Sequence, residues 1–271
     1  MRTSASTRVF AVLGSPVAHS LSPAMHNHAF RALGLDAVYV ALECQADEVG
    51  AVMRALARGG GGGNVTVPHK AHAFAALDRP TSVAREAAVA NTFWFEDGQL
   101  AGDNTDVAGI LAALARIGAP ADAWLVAGTG GAARAVVQAA RRCGARLAVH
   151  SRDASRARDF SAWAEASGVT GADTAEATVL INATPLGLHP TDALPFAKTP
   201  GNRGPRATHA LDLVYAPGGT PWIRALRAER LIAADGREML LAQGAAAFER
   251  WFPGRHAPVE VMRAAIAGAL G

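Results

Sequence analysis

Read for its apolar positions, the chain is a series of short buried runs separated by amphipathic stretches. Val9 to Leu13 is an unbroken apolar run of strand length, and Ser22-Pro23 opens a segment with helical spacing that extends toward Gly34. Ser followed by Pro has the form of an N-cap with proline at the first helical position. Ala37 to Leu42 predicts a second strand and Asp47 to Ala57 a second helix. The glycine run Gly59 to Gly63 reads as a flexible joint into a third strand, Asn64 to Val67. Ala84 to Ala90 and Thr92 to Phe95 continue the series, and Gly102-Asp103-Asn104-Thr105-Asp106 heads a long helix, Val107 to Ile117. This alternation predicts an α/β fold with a mixed, mainly parallel sheet.

After the break at Gly118-Ala119-Pro120 the same alternation restarts. Strand Ala123 to Val126, a glycine turn, helix Ala132 to Arg142 and strand Arg146 to His150 form a βαβ unit of the size of a dinucleotide-binding half. Strands Thr178 to Ile181 and Ala210 to Val214 follow, separated by a loop from Pro185 to Pro205, and Met239 to Trp251 and Pro258 to Leu270 are helical. Two domains result: residues 1–106 with 238–271, and a Rossmann-type doubly wound domain over 107–237.

A length of 271 residues agrees with two domains, and half the residues being apolar with 18% charged describes an ordinary globular protein. No apolar run reaches the roughly 18 residues of a spanning helix, and Met1 to Arg8 is polar, so no membrane association and a cytoplasmic location are expected. Cys44 and Cys143 have no C-x-x-C partners and read as buried small hydrophobes, and the histidine pairs lack companions at metal-ligand spacing, so no metal is expected. The net charge of +3 comes without a basic tail, which points away from nucleic acid. A local cluster, Arg141, Arg142, Arg146, Arg152, Arg156 and Arg158, suits a phosphate on a small molecule instead.

Four segments carry candidate chemistry. Asn64-Val65-Thr66-Val67-Pro68-His69-Lys70 sets an amide, a hydroxyl and an ammonium where a strand runs out into a loop. Lys70 and Lys198 are the two lysines among 24 arginines, and an ammonium, unlike a guanidinium, can give up a proton. Gly128-Thr129-Gly130-Gly131-Ala132-Ala133 fits G-x-G-x-x-A between a strand and a helix, where glycines let backbone approach a pyrophosphate on the helix N-terminus. The next strand ends in Ser151-Arg152-Asp153. Asp153 suits a free ribose 2'-hydroxyl, whereas Arg152 and Arg156 suit a 2'-phosphate, so NADP(H) is favoured and NAD stays open. His19-Ser20-Leu21-Ser22-Pro23 joins two hydroxyls to a helix start, a natural seat for a carboxylate.

Together with Met25-His26-Asn27, Ala90-Asn91-Thr92, Asn104-Thr105-Asp106, Asn182-Ala183-Thr184 and Gln243-Gly244-Ala245, these segments occur in an order that resembles the shikimate dehydrogenase family over nearly the whole chain. The resemblance implies a two-domain enzyme that reversibly reduces 3-dehydroshikimate to shikimate with NADPH in aromatic amino-acid (chorismate) biosynthesis. It implies that Ser20 and Ser22 hold the substrate carboxylate with Tyr215 nearby, and that Asn64, Thr66, Asn91, Asp106 and Gln243 line the ring pocket. It makes Lys70 and Asp106 the catalytic pair, and it puts Gly128, Thr129, Gly130, Gly131, Ala132, Ser151, Arg152, Asp153, Arg156, Thr184 and Gly236 at the cofactor. Two departures stand out. Asp153 replaces the threonine usual in NADP users, and Pro185 replaces a serine, a form also compatible with quinate/shikimate dehydrogenases.

Lys70 as ammonium suits protonation of a developing alkoxide, and a neighbouring carboxylate adds positioning and charge stabilisation. An NAD-linked quinate/shikimate dehydrogenase is the alternative within the class, and a nucleotide- and carboxylate-sensing module without turnover is the alternative outside it. A monomer or homodimer is expected, with domains that close about hinges after Asp106 and near Gly236.

Overall fold

The computed structural model describes residues 3–196 and 206–270; Lys198 and the far end of the Pro185 to Pro205 loop lie outside the described residues. The elements run β1 (Arg8–Gly14), α1 (Ser22–Ala32), β2 (Ala37–Glu43), α2 (Val49–Arg58), β3 (Gly62–Val65), α3 (Lys70–Ala76), β4 (Arg79–Pro80), α4 (Ser82–Ala87), β5 (Thr92–Glu96), β6 (Gln99–Asp103) and α5 (Asp106–Arg116). Then follow β7 (Ala123–Ala127), α6 (Gly131–Cys143), β8 (Arg146–His150), α7 (Ala154–Ala166), β9 (Val179–Asn182), β10 (His209–Asp212), α8 (Pro221–Ala228), β11 (Ile232–Ala234), α9 (Arg237–Trp251) and α10 (Val259–Ala269). The chain divides into two compact units, Met1–Asp106 with Leu240–Gly271, and Val107–Met239. The passage at Met239–Leu240 falls inside α9 rather than in the loop at Gly236.

The first unit is built on a six-stranded sheet in the order β2-β1-β3-β5-β6-β4. β1 pairs in parallel with β2 and β3, while β5 is antiparallel to both β3 and β6, so the sheet is mixed. The glycine run is not a flexible joint. Gly62 and Gly63 belong to β3 in the middle of this sheet. A Cβ on Gly63 would stand 2.1 Å from the Ala11 carbonyl oxygen, and one on Gly62 would stand 2.6 Å from that of Phe93. The glycines are there because neighbouring backbone fills the space a side chain needs. The third strand therefore starts and ends earlier than its apolar pattern suggests, and Thr66 to His69 form the loop that follows it.

Ser22 likewise departs from expectation. Leu21 occupies the N-cap position of α1, no side chain caps the helix, and Ser22 is its first residue. Helix α9 is tied to this unit at its C-terminal end. Arg250 Nε and Nη2 donate to Asp103 Oδ2 at 3.0 and 2.8 Å, and Trp251 Nε1 donates to the Phe93 carbonyl. Phe10, Phe30, Phe248, Trp251 and Phe252 pack their rings together beneath it.

The second unit has a fully parallel sheet in the order β11-β10-β9-β7-β8. β7 leads through α6 to β8 on one side, while β9 and β10 extend the sheet on the other, so the order reverses at β7. The glycine turn that leaves β7 sits at this switch point, where doubly wound sheets bind nucleotides. Cys44 is buried as expected, but Cys143, at the exposed C-terminal end of α6, is not.

Candidate functional site

In the first unit, Lys70, Asn91, Asp106 and Gln243 come together from α3, the β5 approach, the start of α5 and α9. Lys70 sits at the first position of α3, and its backbone carbonyl accepts from Ala90 N–H at 3.0 Å, which ties the helix start to the segment carrying Asn91. Lys70 Nζ donates to Asp106 Oδ2, and both side chains are buried. The other carboxylate oxygen, Oδ1, accepts from Asn91 Nδ2 at 2.8 Å. That amide also reaches Thr105 Oγ1 at 3.0 Å and Gln243 Oε1 at 3.3 Å, while its Oδ1 accepts from Thr105 N–H at 2.7 Å. Gln243 Nε2 donates to the Leu240 carbonyl one turn earlier, which fixes which end of the amide faces Asn91. Every member thus has its orientation set by a partner, as a buried polar network requires.

A second branch leads from this cluster toward α1. Asn64 Nδ2 donates to the Asn91 carbonyl at 3.1 Å, and Asn64 Oδ1 accepts from the Tyr39 hydroxyl at 2.7 Å. Burial raises the Tyr39 phenol well above the ordinary tyrosine range. Ser20 Oγ accepts from Ser22 N–H at 3.3 Å. Thr66, half-buried, is anchored by its N–H to the Leu13 carbonyl at 2.8 Å. Tyr215 follows β10 in the second unit, apart in the chain from this group.

The second unit offers a cradle of backbone. Gly128 has φ +107°, and a Cβ there would stand 3.0 Å from the Ala183 carbonyl oxygen. Gly130 is the N-cap of α6, has no side-chain cap and has open space where a Cβ would be. The first amides of α6 are therefore left without a side-chain cap beside Thr129, Gly131 and Ala132, an end that suits an anion. Asp153 turns out to be the N-cap of α7, its Oδ1 accepting from Ser155 N–H at 2.9 Å and Arg156 N–H at 3.2 Å, with Ser151 Oγ accepting from its own N–H. A threonine could do the same work. The carboxylate caps the helix through Oδ1 and lies 3.5 Å from Arg156 Nε through Oδ2, while Arg152 and Arg156 are both exposed, a set of guanidiniums that fits a 2'-phosphate. Arg146 of the expected phosphate cluster is instead paired with Glu176 and Asp122.

Thr184 is held by Asn182, whose Oδ1 accepts from its N–H at 3.0 Å and its hydroxyl at 2.6 Å. Asn182 in turn donates to Asp212, which also accepts from Val214 N–H and the Thr220 hydroxyl; burial pushes the Asp212 carboxyl up to about 6 despite these donors. Gly236 lies where a Cβ would stand 2.5 Å from the Leu213 carbonyl oxygen. Sequence reasoning passed over Tyr39, Thr105, Asn182's partner Asp212, and Arg250. A tyrosine within the aliphatic run of β2, in a chain with two tyrosines, was the signal available for the first.

A parallel sheet with a glycine turn at its switch point, joined in one chain to a buried lysine–carboxylate pair among amides, defines a dinucleotide-dependent oxidoreductase of small hydroxylated substrates. Residues 12–93 match the model of the shikimate dehydrogenase substrate binding domain, and residues 236–267 that of the shikimate 5'-dehydrogenase C-terminal domain. The chain belongs to the shikimate dehydrogenase family. It is 40% identical to the shikimate dehydrogenase (NADP(+)) of Symbiobacterium thermophilum, over 97% of this chain and 95% of that one. The corresponding enzyme of Mesorhizobium japonicum is 38% identical over 96% and 95%. A crystal structure of the Thermus thermophilus enzyme in complex with NADP(H) and shikimate superposes with a TM-score of 0.81 at 38% identity, covering 96% of this chain and 99% of the other.

Proposed function

We propose that the chain catalyses the reversible, NADPH-dependent reduction of 3-dehydroshikimate to shikimate in aromatic amino-acid biosynthesis, and that it does so in the cytoplasm. The observation that carries the reading is the single buried cluster in which Lys70, Asp106, Asn91 and Gln243 are already oriented. Ser20 and Ser22 receive the substrate carboxylate at the start of α1, and Asn64, Thr66, Asn91, Asp106 and Gln243 hold ring hydroxyls. Tyr215, in the second unit, completes the set of residues proposed for the substrate.

NADP(H), when bound, supplies or takes up the hydride. Lys70 does the complementary work: its ammonium donates a proton to the substrate oxygen as negative charge develops there, and in the reverse direction its neutral amine takes the proton back. Asp106 Oδ2 aims that ammonium, and Asn91, by occupying Oδ1, keeps the carboxylate from turning away. Burial of both groups excludes competing water and strengthens their interaction with the reacting oxygen. Gly128, Thr129, Gly130, Gly131 and Ala132 take the pyrophosphate, Thr184 and Gly236 line the cofactor seat, and Arg152, Arg156 and Ser151 take the 2'-phosphate. Asp153 caps α7 through Oδ1, while its Oδ2 pairs with Arg156 Nε at 3.5 Å, so Arg156 is shared between that carboxylate and the phosphate.

Steady-state kinetics with shikimate or quinate against NADP+ or NAD+ test the proposal. Shikimate with NADP+ should give the highest kcat/KM of the four pairs; quinate with NAD+ giving the highest would overturn it.

A further inference from the structure

Tyr39 is the one tyrosine of the first unit, and three residues are organised around it. It lies on β2, the edge strand of the sheet, where its backbone N–H and C=O have no strand on the outer side. Asn27 of α1 supplies both partners: its Oδ1 accepts from Tyr39 N–H at 2.9 Å and its Nδ2 donates to the Tyr39 carbonyl at 2.8 Å. His26, the preceding residue, stacks its ring on the Tyr39 ring with centroids 4.6 Å apart and planes 20° apart, and Trp251 lies against both, 4.9 Å from His26 and 5.9 Å from Tyr39. His26 is fully buried and neither ring nitrogen has a hydrogen-bond partner. An imidazole in that state is held for its flat face, since its polar atoms are left unsatisfied at a cost.

All of this fixes one atom, the Tyr39 hydroxyl, against Asn64 Oδ1 at 2.7 Å. The direction of the bond follows from elimination. The Asn91 carbonyl can only accept, so Asn64 must offer it Nδ2 and turn Oδ1 toward Tyr39. Oδ1 can only accept, so the phenol hydrogen is committed to it. With both ends of the amide spoken for, Asn64 keeps one N–H and one lone pair, in known directions, for a ligand.

We infer that Tyr39 is a positioning residue for substrate recognition, its hydroxyl locking the Asn64 amide in the one orientation that presents an N–H to a substrate hydroxyl. The inference rests on the reading of Asn64 as a substrate contact. Without the phenol, Oδ1 loses its donor and the amide is held at one end alone, by the Asn91 carbonyl, so its direction is less sharply set and recognition weakens although no atom of Tyr39 touches the substrate.

The test is a double-mutant cycle of Tyr39→Phe and Asn64→Ala, read as kcat/KM for shikimate with saturating NADP+. Tyr39→Phe keeps the ring and its stack, and should lower kcat/KM about tenfold, the worth of one neutral hydrogen bond, with the KM for NADP+ unchanged. In the Asn64→Ala background the same substitution should have less than a twofold effect. Equal losses in both backgrounds, or no loss in the first, would overturn the inference while leaving Asn64 in its role. An Asn64→Ala enzyme with wild-type kcat/KM would remove that role and the inference with it. Should Tyr39→Phe fold poorly, 3-fluorotyrosine at position 39 preserves donor and packing. Its fluorine resonance should shift when shikimate saturates the enzyme and stay fixed in the Asn64→Ala protein, because strengthening one bond of a chain polarises the next. A resonance indifferent to shikimate, or one that shifts equally in the two proteins, would contradict the inference.

Discussion

In the first unit the groups proposed for chemistry are side chains that are buried and tied to one another, whereas in the second the groups proposed for the cofactor are mostly backbone amides and exposed guanidiniums. Lys70, Asp106, Asn91, Asn64 and Gln243 each have at least one partner that sets their direction. Gly128, Gly130 and Gly131 contribute by lacking a side chain, and Arg152 and Arg156 stand out in solvent. A reacting oxygen has to be met by a particular proton at a particular angle, so its surroundings are preorganised. A pyrophosphate carries diffuse charge and is served by a helix end and a close backbone. The difference predicts that substitutions in the first unit act through geometry and those in the second through local sterics and charge.

The largest effect should come from disturbing the frame of the first unit. Gly63→Ala places a Cβ 2.1 Å from the Ala11 carbonyl oxygen and 3.0 Å from the Phe93 ring. It should destabilise that unit by roughly 4 kcal/mol or more, seen as a collapse of the denaturant midpoint, because backbone in a central strand has nowhere to move. A near-normal midpoint would mean that the sheet is far more pliable than its packing indicates.

Next in size is a charge effect confined to the second unit. Arg152→Ala should weaken NADP+ binding roughly ten- to a hundredfold while changing NAD+ binding little, the loss of a single charge-assisted contact. Titration of each dinucleotide by fluorescence checks it, and equal losses for the two would detach Arg152 from the phosphate.

The effect that is smallest per step, because it is spread over several pH units, separates the units by pH. Burial holds His26 neutral down to about 3, against an ordinary value of 6.5. The unfolded chain therefore binds a proton that the folded one refuses, and the first unit loses stability as pH falls from about 6.5, by about 1.4 kcal/mol per pH unit. Asp212 in the second unit is shifted the other way, to about 6 from 3.8, so its folded form holds the extra proton and its contribution is lost as pH rises from about 4 to 6. Hydrogen exchange corrected for intrinsic rates, followed from pH 7 to pH 4, should show protection falling in the first unit before the second. His26→Leu should flatten the decline.

Much of this arrangement was readable in the chain, unevenly and for physical reasons. The segment β7–α6–β8 was placed almost to the residue, because a buried parallel strand, a glycine turn and an amphipathic helix each leave a strong local pattern. The glycine run was misread as a joint because local propensity cannot register that Ala11 and Phe93 backbone lies against it. Ser22 has the chemistry of a cap, yet the turn before it puts Leu21 in that position. Hairpin β5–β6 was missed although Asp97-Gly98 marks its turn, with φ of +51° and +77°. Lys70, Asp106 and Gln243 were picked out by residue type and resemblance. Their mutual hydrogen bonds, and the role of Tyr39 behind Asn64, depend on strand order and helix return, which no local window contains.

The central claim, that the buried cluster of the first unit performs the proton chemistry independently of the cofactor seat, is tested most directly at Lys70. Single-turnover hydride transfer from saturating shikimate to NADP+ should be measured for the wild type, Lys70→Ala and Lys70→Arg, with Kd for NADP+ determined alongside. The rate should fall about 10²- to 10⁴-fold in Lys70→Ala, with little rescue by arginine, while Kd for NADP+ stays within about twofold of wild type. A Lys70→Ala enzyme that transfers hydride at the wild-type rate once saturated would contradict the claim and reduce Lys70 to a binding residue.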